Sequence, residues 1–89
     1  MQETPVRVRL LNSDEVHAGF AAGWSGAVAE ISLPEGAATH FVLGALVEME
    51  SEERLYLGVI EDMRPSGMSI LVEHSLERSQ LGWIQQVWG

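Results

Sequence analysis

The chain has 89 residues, enough for one small domain, and a domain of that size buries only about 60 to 65% of the surface its unfolded chain exposes. Thirteen acidic residues against five arginines and no lysine give a net charge of −8, which disfavours nucleic-acid binding, and the absence of Cys excludes a disulfide framework and thiolate chemistry. The apolar content of 46% is ordinary for a soluble core, no apolar run approaches the ~18 residues that span a bilayer, and Met1 to Pro5 lack a signal-peptide pattern, so the expectation is one cytoplasmic domain over 1–89 with no membrane partner.

In chain order, Val6, Val8 and Leu10 alternate with Arg7 and Arg9, predicting a first strand from Val6 to Leu11 that Asn12-Ser13-Asp14 ends. A second strand follows, with Val16, Ala18, Phe20 and Ala22 on one face and His17, Gly19 and Ala21 on the other, up to a break at Gly23 to Gly26. Ala27, Ala29 and Ile31 form one face of a third strand, closed by Pro34-Glu35-Gly36. Thr39 to Leu43 is a connector. Ala45, Val47 and Met49 then alternate with Leu46, Glu48 and Glu50, Ser51-Glu52-Glu53 makes a polar turn, and Arg54 to Met63 continues extended with Leu55, Leu57 and Val59 on one face. Pro65-Ser66-Gly67 forces another reversal into a sixth strand, Met68 to Glu73. Six strands with turns about every ten residues predict an antiparallel barrel or sandwich over about 5–73.

The C-terminus has a different period. Ser75 is a candidate N-cap for a helix beginning at Leu76, with Glu77 in the first turn. Leu76, Leu81, Trp83, Ile84, Val87 and Trp88 then cover one apolar arc. Gly82 would cost about 1 kcal/mol inside such a helix. The expected fold class is therefore all-β with a C-terminal helix or tail over 75–89.

Two pieces of the chain resemble the PilZ domain, a six-stranded β-barrel family that binds cyclic di-GMP in many bacterial proteins. That family places an RxxxR segment before the barrel and a [D/N]xSxxG turn between early strands. Ala21-Ala22-Gly23-Trp24-Ser25-Gly26 stands where the turn belongs, followed by Ala27-Val28-Ala29-Glu30-Ile31; Leu43 to Val47, Tyr56 to Ile60 and Met68 to Val72 look like the later strands. The resemblance covers most of residues 5 to 76 and implies a PilZ-like barrel. It also implies a degenerate nucleotide site, because Ala21 replaces Asp or Asn, Gly23 replaces Ser, and Arg7 and Arg9 are spaced two apart within a strand. Asp62 to Gly67 offers a competing frame for the motif that leaves no room for the later strands. The ligand-binding candidates are thus Arg7, Arg9, Gly23, Ser25 and Gly26, each lost polar partner costing roughly 1 to 3 kcal/mol.

Other constellations carry less. His17, His40 and His74, with Glu15 or Glu73, match no metal-binding spacing and are expected to be surface histidines, so neither metal nor cofactor is expected. Glu61 and Asp62 point to opposite faces of a strand, and Ser25 lacks a nucleophile-turn motif, so no enzyme is expected.

The leading expectation is a non-enzymatic PilZ-like signalling or adaptor module acting through protein contacts or self-association, with Leu81, Trp83, Ile84, Val87 and Trp88 as its interface, since tryptophan is enriched at binding hot spots. The alternatives are a low-affinity cyclic di-GMP receptor using Arg7 and Arg9, and an unrelated SH3-like accessory barrel.

Overall fold

The computed structural model describes residues 3–52 and 54–77. Six strands form within them: β1 (Thr4–Leu10), β2 (His17–Ser25), β3 (Val28–Ser32), β4 (Leu46–Glu50), β5 (Arg54–Arg64) and β6 (Gly67–Glu77), with one 3-10 turn, Ala37–His40, between β3 and β4. All pairings are antiparallel, and the order β1-β2-β3-β6-β5-β4 closes on itself through β4 against β1. Among the described strands, closure leaves neither edge of the sheet open, which removes the usual template for edge-to-edge aggregation.

Alternation places the core. Val6 and Val8 of β1, Ala29 and Ile31 of β3, Val47 and Met49 of β4, Ile60 of β5 and Met68 and Ile70 of β6 all point inward and are buried. Phe41, just after the 3-10 turn, plugs the same core. Each buried aliphatic or thioether side chain contributes roughly 1.5 to 3 kcal/mol by leaving water, and these residues are the main stabilising term available to a chain with no disulfide.

Glycines allow the tight places. Gly26 has φ 60 at the tip of the β2–β3 hairpin, a conformation that side chains with a Cβ rarely adopt. Gly58 lies directly under the backbone carbonyl of Leu71, where a Cβ would collide. The β5–β6 hairpin carries register shifts at Leu57/Gly58 and at Ile60/Asp62, and such bulges bend a long hairpin enough to close a small barrel.

Two expectations need correction, and one face left open is now assigned. β2 does not break at Gly23: Gly23 and Trp24 remain paired with Glu30 and Ala29, a bulge at Ala22 absorbs the irregularity, and the reversal is confined to Gly26 and Ala27. The face of Leu55, Leu57 and Val59 is the outer one, whereas Tyr56, Gly58 and Ile60 face inward, because the close approach of Gly58 to β6 leaves room for no side chain there. No helix begins at Leu76. Ser75, Leu76 and Glu77 pair with Tyr56, Leu55 and Arg54, extending β6 four residues beyond the expected end, since ladder hydrogen bonds to β5 outweigh the N-cap signal of Ser75. The rest of the expected helix lies outside the described residues.

Candidate functional site

Arg7 and Arg9 do project from one face of β1, but β4 answers each with a carboxylate. Arg9 Nη2 lies 2.9 Å from Glu48 Oε2, and Arg7 Nη1 lies 4.0 Å from Glu50 Oε1. Both pairs follow from the register, which sets Arg7 opposite Glu50 and Arg9 opposite Glu48. The depression around them, about 220 Å³, is lined by Arg7, Arg9, Val16, Glu48 and Glu50, so two cations meet two anions there. Arg9 also donates from Nη1 to the Ser13 carbonyl at 2.9 Å, which ties it to the β1–β2 loop.

Gly23, Ser25 and Gly26 lie elsewhere. Arg7 pairs with Ala18, and Ser25 stands seven residues further along β2, a distance of roughly 23 Å at the rise of an extended strand. The structure therefore does not bring the arginines and the turn to one pocket. At the turn's end of the barrel Trp24 packs on Tyr56, ring centroids 5.3 Å apart. All four described arginines are engaged with carboxylates, Arg54 with Glu77 and Arg64 with Glu30 and Asp62.

The expected interface residues Leu81, Trp83, Ile84, Val87 and Trp88 lie outside the described residues. The outer wall of the barrel supplies an apolar surface that the linear sequence did not single out. Leu46 of β4 pairs with Val59 of β5, Val59 with Leu71 of β6, and Leu71 with Val28 of β3. Because their neighbours Val47, Ile60, Ile70 and Ala29 point inward, these four side chains all point outward and form one stripe across four strands. Leu46 is 53% exposed and Leu71 37%. On the β1 side Leu11, 43% exposed, extends the row, its amide donating to the Leu46 carbonyl. The turn entering β4 adds Val42 and Leu43, more than 60% exposed.

Charge borders the stripe. On one side Glu48 and Leu57 occupy the next paired row. On the other, Ser69 is buried beneath a polar network in which its hydroxyl donates to Glu30, Arg64 Nη1 donates to Ser69 Oγ at 3.1 Å, and Arg64 reaches Asp62 at 2.8 Å. Glu73 and Glu61 are exposed nearby on β6 and β5. An apolar band with an acidic rim on a chain of charge −8 is the outstanding surface feature among the described residues. The alternation of Leu46, Val59 and Leu71 was available in the sequence, but their alignment depends on strand pairing that only the fold reveals.

The three histidines separate. His17 and His40 come together beside Glu15, whereas His74 is exposed on β6 opposite Leu57. No described helix is long and apolar enough to cross a membrane. The chain matches no protein-family model, no curated protein and no solved structure.

Proposed function

We propose that this chain is a non-enzymatic binding module, of the adaptor kind that the PilZ resemblance implies, which docks its outer β4–β5–β6 wall on a partner protein. The observation that carries this reading is the outward-facing stripe Leu46, Val59, Leu71 and Val28 on a closed barrel, with Leu46 and Leu71 exposed and the two valines half-buried between them. A closed barrel needs no further strand, so an apolar outer row contributes nothing to its core, and contiguous exposed apolar surface marks interaction sites.

The rim selects the partner's chemistry. With every described arginine already held by a carboxylate and a net charge of −8, the face is complementary to an apolar surface bordered by Lys or Arg. A second copy would bring another acidic rim against it and be repelled. A cyclic dinucleotide receives no support, since Arg7 and Arg9 are paired and stand far from the Gly26 turn.

The test compares the full chain with Leu71→Glu, an outward substitution that spares the core. Proteins retained from the source cells by the wild type are identified, and one is purified and titrated against both. Binding that weakens at least tenfold in Leu71→Glu and falls with salt supports the reading. Equal binding by both forms overturns it. Concentration-dependent dimerisation in light scattering, abolished by Leu71→Glu, would reassign the face to self-association and also overturn the hetero-partner reading.

A further inference from the structure

The β1–β2 loop, the first residue of β2 and the 3-10 turn bring three metal-ligating side chains to one point beside Phe41, although His17 and His40 are 23 positions apart in sequence. Glu15 Oε2 lies 3.4 Å from His17 Nε2 and 3.6 Å from His40 Nδ1, and the three donor atoms all fall within 4.8 Å of one another. Two imidazole nitrogens therefore address the same carboxylate oxygen. We propose that Glu15, His17 and His40 form a binding site for a divalent transition-metal ion, with zinc as the best-matched occupant.

Donor chemistry and spacing both favour zinc. Two imidazoles and one carboxylate are a three-protein-ligand set that zinc accepts with a fourth position left for water or an incoming ligand. Bond lengths of about 2.0 to 2.2 Å in a tetrahedron put neighbouring donors about 3.3 to 3.5 Å apart; of the two carboxylate–imidazole separations, 3.4 Å falls in that range and 3.6 Å lies just beyond it. The larger movement is that of the two nitrogens, which need to approach by roughly 1.5 Å at most on the same geometry. His40 can make that movement, since it ends the 3-10 turn with its side chain half exposed. Calcium and magnesium are poor matches, because both select oxygen donors.

The site is also held in place by its surroundings. The His17 side chain is only 20% exposed, and its ring lies between His40, stacked with centroids 4.6 Å apart, and the edge of buried Phe41 at 5.2 Å. Pairing of His17 with Val8 anchors its backbone in the barrel. The Glu15 loop is braced from two directions: the Glu15 amide donates to Ser13 Oγ at 3.1 Å, and Arg9 donates to the Ser13 carbonyl while gripping Glu48. Arg9 thus acts as a positioning residue for the carboxylate, a use of that cation different from ligand binding. The net charge of −8 further raises the local concentration of any divalent cation.

A simple pair of solvated histidines would look different. It would need neither a shared carboxylate oxygen nor a ring packed into the core, and His74, exposed on β6, is the internal example of that case. The ion would add a cross-link between the β1–β2 loop and the β3–β4 connection, two segments that already meet here through Glu15 and His40.

The experiment titrates the untagged full chain with Zn2+ alone by calorimetry, and with Co2+ as a visible-absorption reporter of tetrahedral coordination. One equivalent should bind saturably, raise the melting temperature and give the intense Co2+ bands of a four-coordinate site. His40→Ala should weaken binding at least tenfold and Glu15→Gln at least severalfold, both with unchanged circular dichroism in the absence of metal, while His74→Ala should bind as the wild type does. No saturable binding, retention of wild-type affinity in both His40→Ala and Glu15→Gln, or loss of binding in His74→Ala would each overturn the site.

Discussion

Arg9 and Glu48 meet across the β1–β4 seam at 2.9 Å, with about a quarter of each side chain exposed, at the seam that closes the barrel. The same guanidinium holds the Ser13 carbonyl. Arg7, two residues earlier and facing the same way, reaches Glu50 only at 4.0 Å with its side chain 72% exposed. The two arginines therefore differ in kind.

Arg9→Ala should lower stability by about 1 kcal/mol, the upper range for a partly exposed pair that also satisfies a backbone carbonyl. Arg7→Ala should stay within about 0.5 kcal/mol of the parent, as most surface changes do. Urea unfolding of the two variants checks this. Equal effects would mean that the geometric difference has no energetic counterpart.

Gly58→Ala should destabilise the barrel by about 1 to 3 kcal/mol, the range for forcing atoms into a packed site. The new methyl would meet the Leu71 carbonyl and the Ile70 side chain, and backbone is slow to yield. Gly23→Ala is the control, since nothing lies within 4 Å of a Cβ built there. Thermal melts that rank the two the other way would contradict the inward approach of β5 to β6 at Gly58.

How much of this is present in the linear chain follows from which signals are local. Strand periodicity in Val6 to Leu10 and in Ala45 to Glu50, and reversals at Pro65 to Gly67, are local, and they predict these strands and which of their residues share a face. β5 is apolar on both faces, so alternation alone cannot say which of Leu57 or Ile60 is inside; closure and the Gly58 contact decide it. The site is less accessible still. The stripe requires Leu46, Val59 and Leu71 to fall in register, the arginine pairs require β1 beside β4, and His17 meets His40 only because the β3–β4 connection folds back on β2. Those are long-range pairings.

Substituting along β6 should separate wall from core. Leu71→Gln changes an outward residue and should alter stability by less than about 1 kcal/mol. Ile70→Ala, one residue earlier, removes a side chain that is 1% exposed and should cost about 2 to 5 kcal/mol. Urea midpoints measure both. A Leu71→Gln cost as large as that of Ile70→Ala would show that the stripe is structural and would weaken its assignment as a docking face.

The end of β6 gives a sharper test of what covers that face. Leu76 and Glu77 pair with Leu55 and Arg54, and Arg54 Nη1 donates to Ser75 Oγ at 2.9 Å, so a chain cut after Glu77 keeps every described strand whole. Cutting after Ser75 removes two ladder positions and the Arg54–Glu77 ion pair. The longer form should keep the described barrel, read as cooperative urea unfolding, while the shorter one should be less stable than it, read as a lower urea midpoint. Residues 78–89 are long enough, at about 3.3 Å per extended residue, to reach the stripe from Glu77. If they were its natural cover, removing them would raise binding of a hydrophobic dye, and Leu71→Glu in the cut chain would abolish the increase. A partner-docking wall predicts dye binding that is the same before and after the cut and is reduced by Leu71→Glu in both forms. An increase confined to the cut chain would assign the face to the chain's own C-terminal residues instead.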